Sequence, residues 1–312
     1  MTKPGIIFLL GPTAAGKTEL ALKLAKKLNA EIISCDSMQV YKGMDIISSK
    51  PAPSARKRVP HHLIDIIPPE KEFNAALYRR YALKAIKAIL KKEKIPMFVG
   101  GTGFYAGAVL DGIFQGPGED KKIRKSLYRR AKIGGSKALY KRLMKVDPGA
   151  AAKIHPNDLK RIVRALEVYI KTKKPISQWQ RERKGLSRDY EVKIYCLTRP
   201  RQELYANINQ RVRRMFGKGL VNEVRRLLKR KLSKTASCAI GINEVKGYLE
   251  GRYSLEQAKD LIGKHTRQYA KRQLTWFRKD KRLIWVALTS ADKRIIPFSL
   301  QGALEGKSRK KM

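Results

Sequence analysis

The sequence predicts an α/β fold: a parallel sheet flanked by helices and interrupted by an all-helical insertion. Three observations carry that expectation. The apolar run Ile6 to Leu10 ends in Gly11-Pro12-Thr13-Ala14-Ala15-Gly16-Lys17-Thr18, a complete G-x-x-x-x-G-K-[ST] loop with a helical pattern behind it. Short β-rich runs alternate with helical patterns through the first hundred residues, as parallel strands with crossover helices require. Between residues 116 and 191 no convincing strand appears.

Taken in order, Ile6-Ile7-Phe8-Leu9-Leu10 reads as a buried strand, and Leu20, Leu24 and Leu28 recur at helical spacing beside Ala21 and Ala25. Glu31 to Ser34 gives a second strand, and Met97 to Val99, after Pro96, a third. From Gly116-Pro117-Gly118 the pattern turns helical. Helices start near Asp120, near Ser136 and after Pro156-Asn157-Asp158, where Asn or Asp can cap the apolar face of Leu159, Ile162, Val163 and Leu166. Strand character returns at Val192 to Leu197 and at Leu283 to Leu288. A P-loop NTPase-like core is thus expected from both chain ends, residues 1–115 and 192–289, around an insertion of residues 116–191. The basic tail, 290–312, loses periodicity and is expected to be disordered.

Composition narrows the partners. Seventy Lys and Arg face 26 Asp and Glu, a net charge of +44. Such an imbalance favours a polyanion, nucleic acid before an anionic membrane, although a general Lys/Arg bias of the source would give the same count. Cys35, Cys196 and Cys238 are odd in number and widely spaced, which argues against a disulfide framework or a zinc site. No run approaches the ~18 apolar residues of a membrane span, so a soluble, cytoplasmic protein is expected, acting as a monomer.

The loop states the chemistry. Its glycines let backbone N–H groups curl around phosphate oxygens, Lys17 adds a point charge, the helix start adds its positive end, and Thr18 can ligate Mg²⁺. Loops that follow parallel strands should gather the remaining polar groups. Two stand out: Cys35-Asp36-Ser37-Met38-Gln39 and Gly100-Gly101-Thr102-Gly103. If their strands are neighbours, Asp36 and Thr102 face the same cavity as Lys17. Asp36 then serves as a general base, as a Mg²⁺ ligand or merely as a turn residue. His61-His62 could suggest a metal pair, but adjacent residues on an extended segment point to opposite faces, so a structural role for one is expected.

Basic faces are abundant. Lys160, Arg161 and Arg164 lie on neighbouring parts of one helical face, with Glu167 near enough to neutralise part of it. From His265 to Arg278, Tyr269, Arg272, Gln273 and Trp276 are assigned to one face, and Arg267, Lys271 and Arg278 to another. Cations interleaved with aromatics suit looped RNA, whose bases stack on rings; Tyr269 and Trp276 are equally eligible as core.

Together these segments resemble the bacterial tRNA dimethylallyltransferases, the IPP transferase family. The resemblance is carried by the phosphate loop, Asp36 to Asp45, Lys50-Pro51, His61 to Asp65, Val99 to Tyr105, His155 to Asp158, Arg161 with Arg164 to Val168, Gly219-Leu220 with Glu223-Val224, and Thr266 to Gln273. It implies that dimethylallyl diphosphate lies in the loop, with Mg²⁺ on Thr18. N6 of adenosine 37, beside the anticodon of tRNAs reading codons that begin with U, would attack its C1 and expel pyrophosphate, leaving N6-isopentenyladenosine. It further implies catalytic roles for Asp36 as base and for Thr13 and Arg211 where the substrates meet. Asp36, Ser37, Met38, Gln39 and Thr102 would hold the target base. The anticodon stem-loop would meet Arg124, Lys160, Arg161, Ile162, Val163, Arg164, the loop Cys238-Ala239-Ile240-Gly241-Ile242-Asn243, and Arg267, Lys271, Arg272, Gln273 and Arg278. The chain departs from the family where Ile242-Asn243 replaces the usual Tyr followed by Lys or Arg. Without the resemblance, a P-loop kinase of a small metabolite explains the first forty residues but leaves the basic half idle, and an RNA-binding protein with a vestigial site leaves Lys17, Thr18 and Asp36 idle.

Overall fold

The structure, a computed structural model, describes residues 3–114 and 116–288. Its sheet is built from β1 (Gly5–Leu10), β2 (Ala30–Cys35), β3 (His61–His62), β4 (Ile95–Gly100), β5 (Glu191–Thr198) and β6 (Ile284–Ala287), all parallel, in the order β3-β2-β4-β1-β5-β6. From β1 the chain passes to β2 and out to β3, returns to β4 between β2 and β1, and then crosses to β5 on the other side of β1, where the direction reverses. A crevice opens beyond the carboxyl ends of strands at such a reversal.

The first helices are α1 (Lys17–Lys27), α2 (Pro53–Arg58), α3 (Ala75–Leu90) and α4 (Gly103–Leu110). They are followed by α5 (Lys121–Val146), α6 (Pro148–Ala151), α7 (Leu159–Thr172) and α8 (Ile176–Arg181). The last four are α9 (Arg201–Gly217), α10 (Leu220–Leu228), α11 (Ile242–Leu249) and α12 (Leu255–Phe277). Ile6 to Leu10 of β1 are all buried, as a continuous apolar strand between covered faces should be, and Phe8 stacks on Phe98 with ring centroids 4.3 Å apart. Leu20, Leu24, Ala21 and Ala25 of α1 pack into the same core.

The short edge strand β3 was not foreseen. It pairs His61 and His62 with Ile32 and Ile33, and the two rings take different partners: His61 Nδ1 lies 2.6 Å from the Val59 carbonyl and His62 Nε2 2.7 Å from Glu31 Oε2. Burial alone would raise the Glu31 carboxyl, but hydrogen bonds from His62, Lys94 and Lys92 hold it down at about 2. Both histidines are therefore structural, and no metal-ligating cluster of His, Cys, Asp and Glu occurs among the described residues.

Packing divides the chain into two units, one formed by residues up to Val109 and from Asp189 onward, the other by Leu110–Arg188. The second is helical. Asp120 caps α5 by accepting from the Lys122 and Ile123 N–H groups, and Asp158 caps α7 by accepting from Arg161. The helix foreseen near Ser136 is the second half of α5, set off by Gly135, whose φ of 72° and ψ of 169° break the run. Its core gathers Leu127, Leu139, Leu143, Ile162, Val163 and Leu166. The tail expected to be disordered lies outside the described residues. Among the described residues no helix is long and apolar enough to cross a membrane.

Candidate active site

At the carboxyl end of β1 the chain turns through the phosphate loop into α1. Ala14 and Gly16 both take positive φ, 63° and 98°, which curls the loop and leaves Gly16 at the cap of α1. Lys17 folds back over the loop, donating from Nζ to the Gly11 carbonyl at 2.9 Å and to that of Pro12 at 2.6 Å. Burial, reinforced by the nearby Arg211 cation and opposed by Asp36, lowers this ammonium to about 8. Thr18 lines the same cavity, whose volume is about 1070 Å³.

Asp36 stands one residue past β2, and β2 pairs with β4, which pairs with β1: Cys35 lies beside Gly100, and Gly100 beside Leu10. The strands are thus neighbours and Asp36 shares the cavity with Lys17. Its Oδ1 accepts from the N–H groups of Met38 at 2.8 Å and Gln39 at 3.3 Å, which fixes the turn. Among the described residues Oδ2 has no hydrogen-bond partner. Asp36 is also the acidic neighbour of Arg211 and Tyr269, favouring the charged guanidinium of the first and disfavouring ionisation of the second, whose hydroxyl burial has already pushed up to about 12. Thr102 serves as scaffold rather than wall: its Oγ1 accepts from the Ser37 N–H at 3.1 Å, and its own N–H donates to the Cys35 carbonyl. Gln39 is oriented by Ser34, whose hydroxyl donates to Oε1 at 2.8 Å.

Helix α9 supplies the opposite wall. Arg211 Nη1 donates to Thr13 Oγ1 at 2.9 Å, joining the two residues that the family resemblance assigns to the chemistry. Arg199 Nε donates to the Ala15 carbonyl at 3.0 Å and Asn207 Nδ2 to that of Ala14 at 3.3 Å. Sequence reasoning missed both. Asn207 lies one helical turn before Arg211, so the i, i+4 face of Arg211 carried the signal. Glu223 on α10, one of the residues that carry the resemblance but given no role there, is a buried carboxylate that accepts from the N–H groups of Asp45, Ile46 and Ile47 at 2.8 to 3.1 Å and so braces another wall of the cavity.

The expected RNA-binding residues divide. Arg267, Lys271, Arg272 and Arg278 all lie on or just beyond α12; Lys271, Arg272 and Arg278 are exposed, and Arg272 also lines the cavity. Arg267 donates to Asn209 Oδ1 at 2.7 Å. Trp276, 51% exposed, meets Phe104, 60% exposed, edge to face at the surface. Gln273 does not belong with them: it is buried and bonded at both ends of its amide to backbone, Oε1 accepting from the Thr13 N–H at 2.9 Å and Nε2 donating to the Gly101 carbonyl at 2.8 Å. Cys238, Ala239 and Ile240 line the cavity, with Cys238 exposed and Ala239 buried. Gly241 caps α11, Asn243 is exposed, and Ile242 is buried core with no surface to offer RNA.

In the helical unit Ile162 and Val163 are likewise core residues, 0% and 1% exposed, so their side chains are withdrawn from any RNA contact. Lys160 is exposed, and Arg161 is paired with its capping Asp158 at 2.5 Å. Arg124 and Arg164 both donate to the buried Glu167 carboxylate, at 3.0 and 2.7 Å.

A model of the IPP transferase family matches residues 39–280, and one of isopentenyl transferases matches residues 4–65. The chain belongs to the IPP transferase family. It is 49% identical over 293 residues to a tRNA dimethylallyltransferase of Thermotoga neapolitana, covering 93% of this chain and 95% of that one. It is 47% identical over 287 residues to the tRNA dimethylallyltransferase of Geobacter sulfurreducens, covering 91% and 92%. Among solved structures of the family, the full-length tRNA isopentenylpyrophosphate transferase of Bacillus halodurans superposes with a TM-score of 0.71 at 38% identity, covering 98% of this chain and 97% of that one. A eukaryotic dimethylallyltransferase captured acting on tRNA gives a TM-score of 0.80 at 27% identity, over 99% of this chain and 81% of the other.

Proposed function

We propose that this IPP transferase transfers a dimethylallyl group from dimethylallyl diphosphate to N6 of adenosine 37, next to the anticodon, in tRNAs that read codons beginning with U. The observation that supports it best is the meeting, in one cavity, of a phosphate loop with Lys17 and Arg211 on one side and the Asp36 carboxylate on the other. Neighbouring IPP transferases with named activity point the same way.

The loop N–H groups and Lys17 take the diphosphate, drawing the ammonium off the Gly11 and Pro12 carbonyls that hold it in the free protein. The N6 lone pair forms a bond to C1 while the C1–O bond breaks and its electrons leave with pyrophosphate. Lys17 and Arg211 stabilise that developing charge, and Asp36 accepts the N6 proton on the oxygen the turn does not use. Thr18, which lines the cavity at the end of the phosphate loop, would hold Mg²⁺. Bound there, Mg²⁺ would neutralise charge on the leaving diphosphate. The exposed cations of α12 and the Phe104–Trp276 pair provide charge and rings of the kind an anticodon stem-loop needs, and the helical unit by itself offers the exposed cation Lys160. A cytoplasmic, monomeric enzyme is the corresponding expectation.

The test is to incubate the protein with Mg²⁺, unmodified anticodon stem-loop RNA and dimethylallyl diphosphate, and to weigh the RNA. A gain of one dimethylallyl group on the adenosine 3′ of the anticodon is the expected result. An unchanged RNA, with ATP consumed on small metabolites in a parallel reaction, would overturn it.

A further inference from the structure

β1 and β4 pair as far as Leu10 and Gly100, and there their backbone ladder stops. Just beyond, the Gln273 side chain stands in for the next rung. Its carbonyl accepts from Thr13 in the loop after β1, and its amide donates to Gly101 in the loop after β4. Only a residue without a side chain admits this approach, because a Cβ on Gly101 would lie 2.1 Å from Nε2.

The two loops belong to the two substrates. Thr13 receives Arg211 on its hydroxyl, so its N–H and its Oγ are both held, and the loop after β4 continues into Thr102, which holds Ser37 next to Asp36. Gln273 therefore lies in a continuous chain of contacts from the diphosphate loop to the turn that bears the base. We propose that Gln273 is a positioning residue that sets the distance between donor and acceptor, acting on the transfer step and not on the RNA grip of the helix that carries it. The inference rests on the transferase reading above. A misplacement of about 1 Å between reacting groups can cost on the order of 100-fold in rate.

Two variants test it. Gln273→Met keeps the volume and removes both hydrogen bonds, whereas Gln273→Glu keeps an acceptor for Thr13 but sets a carboxylate oxygen against the Gly101 carbonyl. With the stem-loop substrate, both should lower kcat by about 10- to 100-fold while the Kd for RNA, measured without donor, stays within about twofold of wild type. Pyrophosphate binding by calorimetry reads the same contact without the transfer reaction, and should weaken about 2- to 10-fold in Gln273→Met. If that variant proves too unstable to purify, Gln273→Glu carries both measurements. Unchanged kcat and unchanged pyrophosphate binding in a folded variant would overturn the proposal, as would a loss of RNA affinity at constant kcat. A wild-type protein that leaves the RNA unmodified would overturn the transferase reading instead, while the pyrophosphate titration would still decide whether Gln273 shapes the loop.

Discussion

One oxygen of the Asp36 carboxylate closes the turn to Met38 and Gln39, and in the proposed reaction the other takes the N6 proton. Asp36→Asn keeps the turn acceptor and removes the proton acceptor, so kcat should fall by about 10² to 10⁴ with RNA affinity unchanged in a binding assay. Retained turnover would take Asp36 out of the proton transfer. Lys17 makes a second prediction. Its ammonium, lowered to about 8 by burial and by Arg211, loses its proton well before an ordinary lysine at 10.5. The kcat/KM for the diphosphate should therefore decline as pH rises through about 8, and Lys17→Arg should remove that limb of the profile. Folding carries the opposite sign: between about 8 and 10.5 the unfolded chain binds the extra proton, so stability gains as pH rises across that window. The loop motif made Lys17 and Thr18 readable from sequence, but Arg199 and Asn207 carry no motif of their own, because their value lies in reaching loop carbonyls some 190 residues away in the chain.

Helices show where periodicity stops being informative. Tyr269, Arg272, Gln273 and Trp276 fall on one stripe of α12, but adjacent positions differ by about 100°, so the stripe straddles the edge of the core: Arg272 is exposed and Gln273 buried. Ile162 and Val163 were readable as the apolar face of α7, and the family assignment of RNA contacts to the whole run from 160 to 164 concealed that. On α7 and its neighbour the basic residues have different duties. Burial alone would raise Glu167, but the hydrogen bonds from Arg124, the Asp120 N–H and Arg164 keep it below the usual carboxylate range. Arg124→Ala leaves this buried carboxylate short of partners and should destabilise the helical unit by about 1 to 3 kcal/mol, read as a lowered Tm. Lys160→Ala, at an exposed site, should leave Tm in place and weaken RNA binding. Equal effects of the two on Tm would contradict this division. The strand β3, two residues long, was below what any pattern can reveal.

For the molecule as a whole, the excess of 44 positive charges dictates how it meets a polyanion. Affinity for the stem-loop should fall steeply between about 50 and 200 mM salt, with a linear dependence on a log–log plot whose slope counts the phosphates neutralised. A flat response would assign the charge to another purpose. The α/β class and the use of both chain ends were visible because buried parallel strands are continuous apolar runs; the order of the strands was not, since nothing local records which strand lies beside which. That order sets a timetable for synthesis. Gln273 and Thr13 are 260 residues apart, and β5, the second of the two strands that pair with β1, begins only at Glu191. At about 5 to 20 residues per second, the phosphate loop leaves the ribosome and waits roughly 13 to 52 s for the last of its supports. Nascent chains stalled before α12 should therefore fail to retain pyrophosphate, while the finished chain binds it.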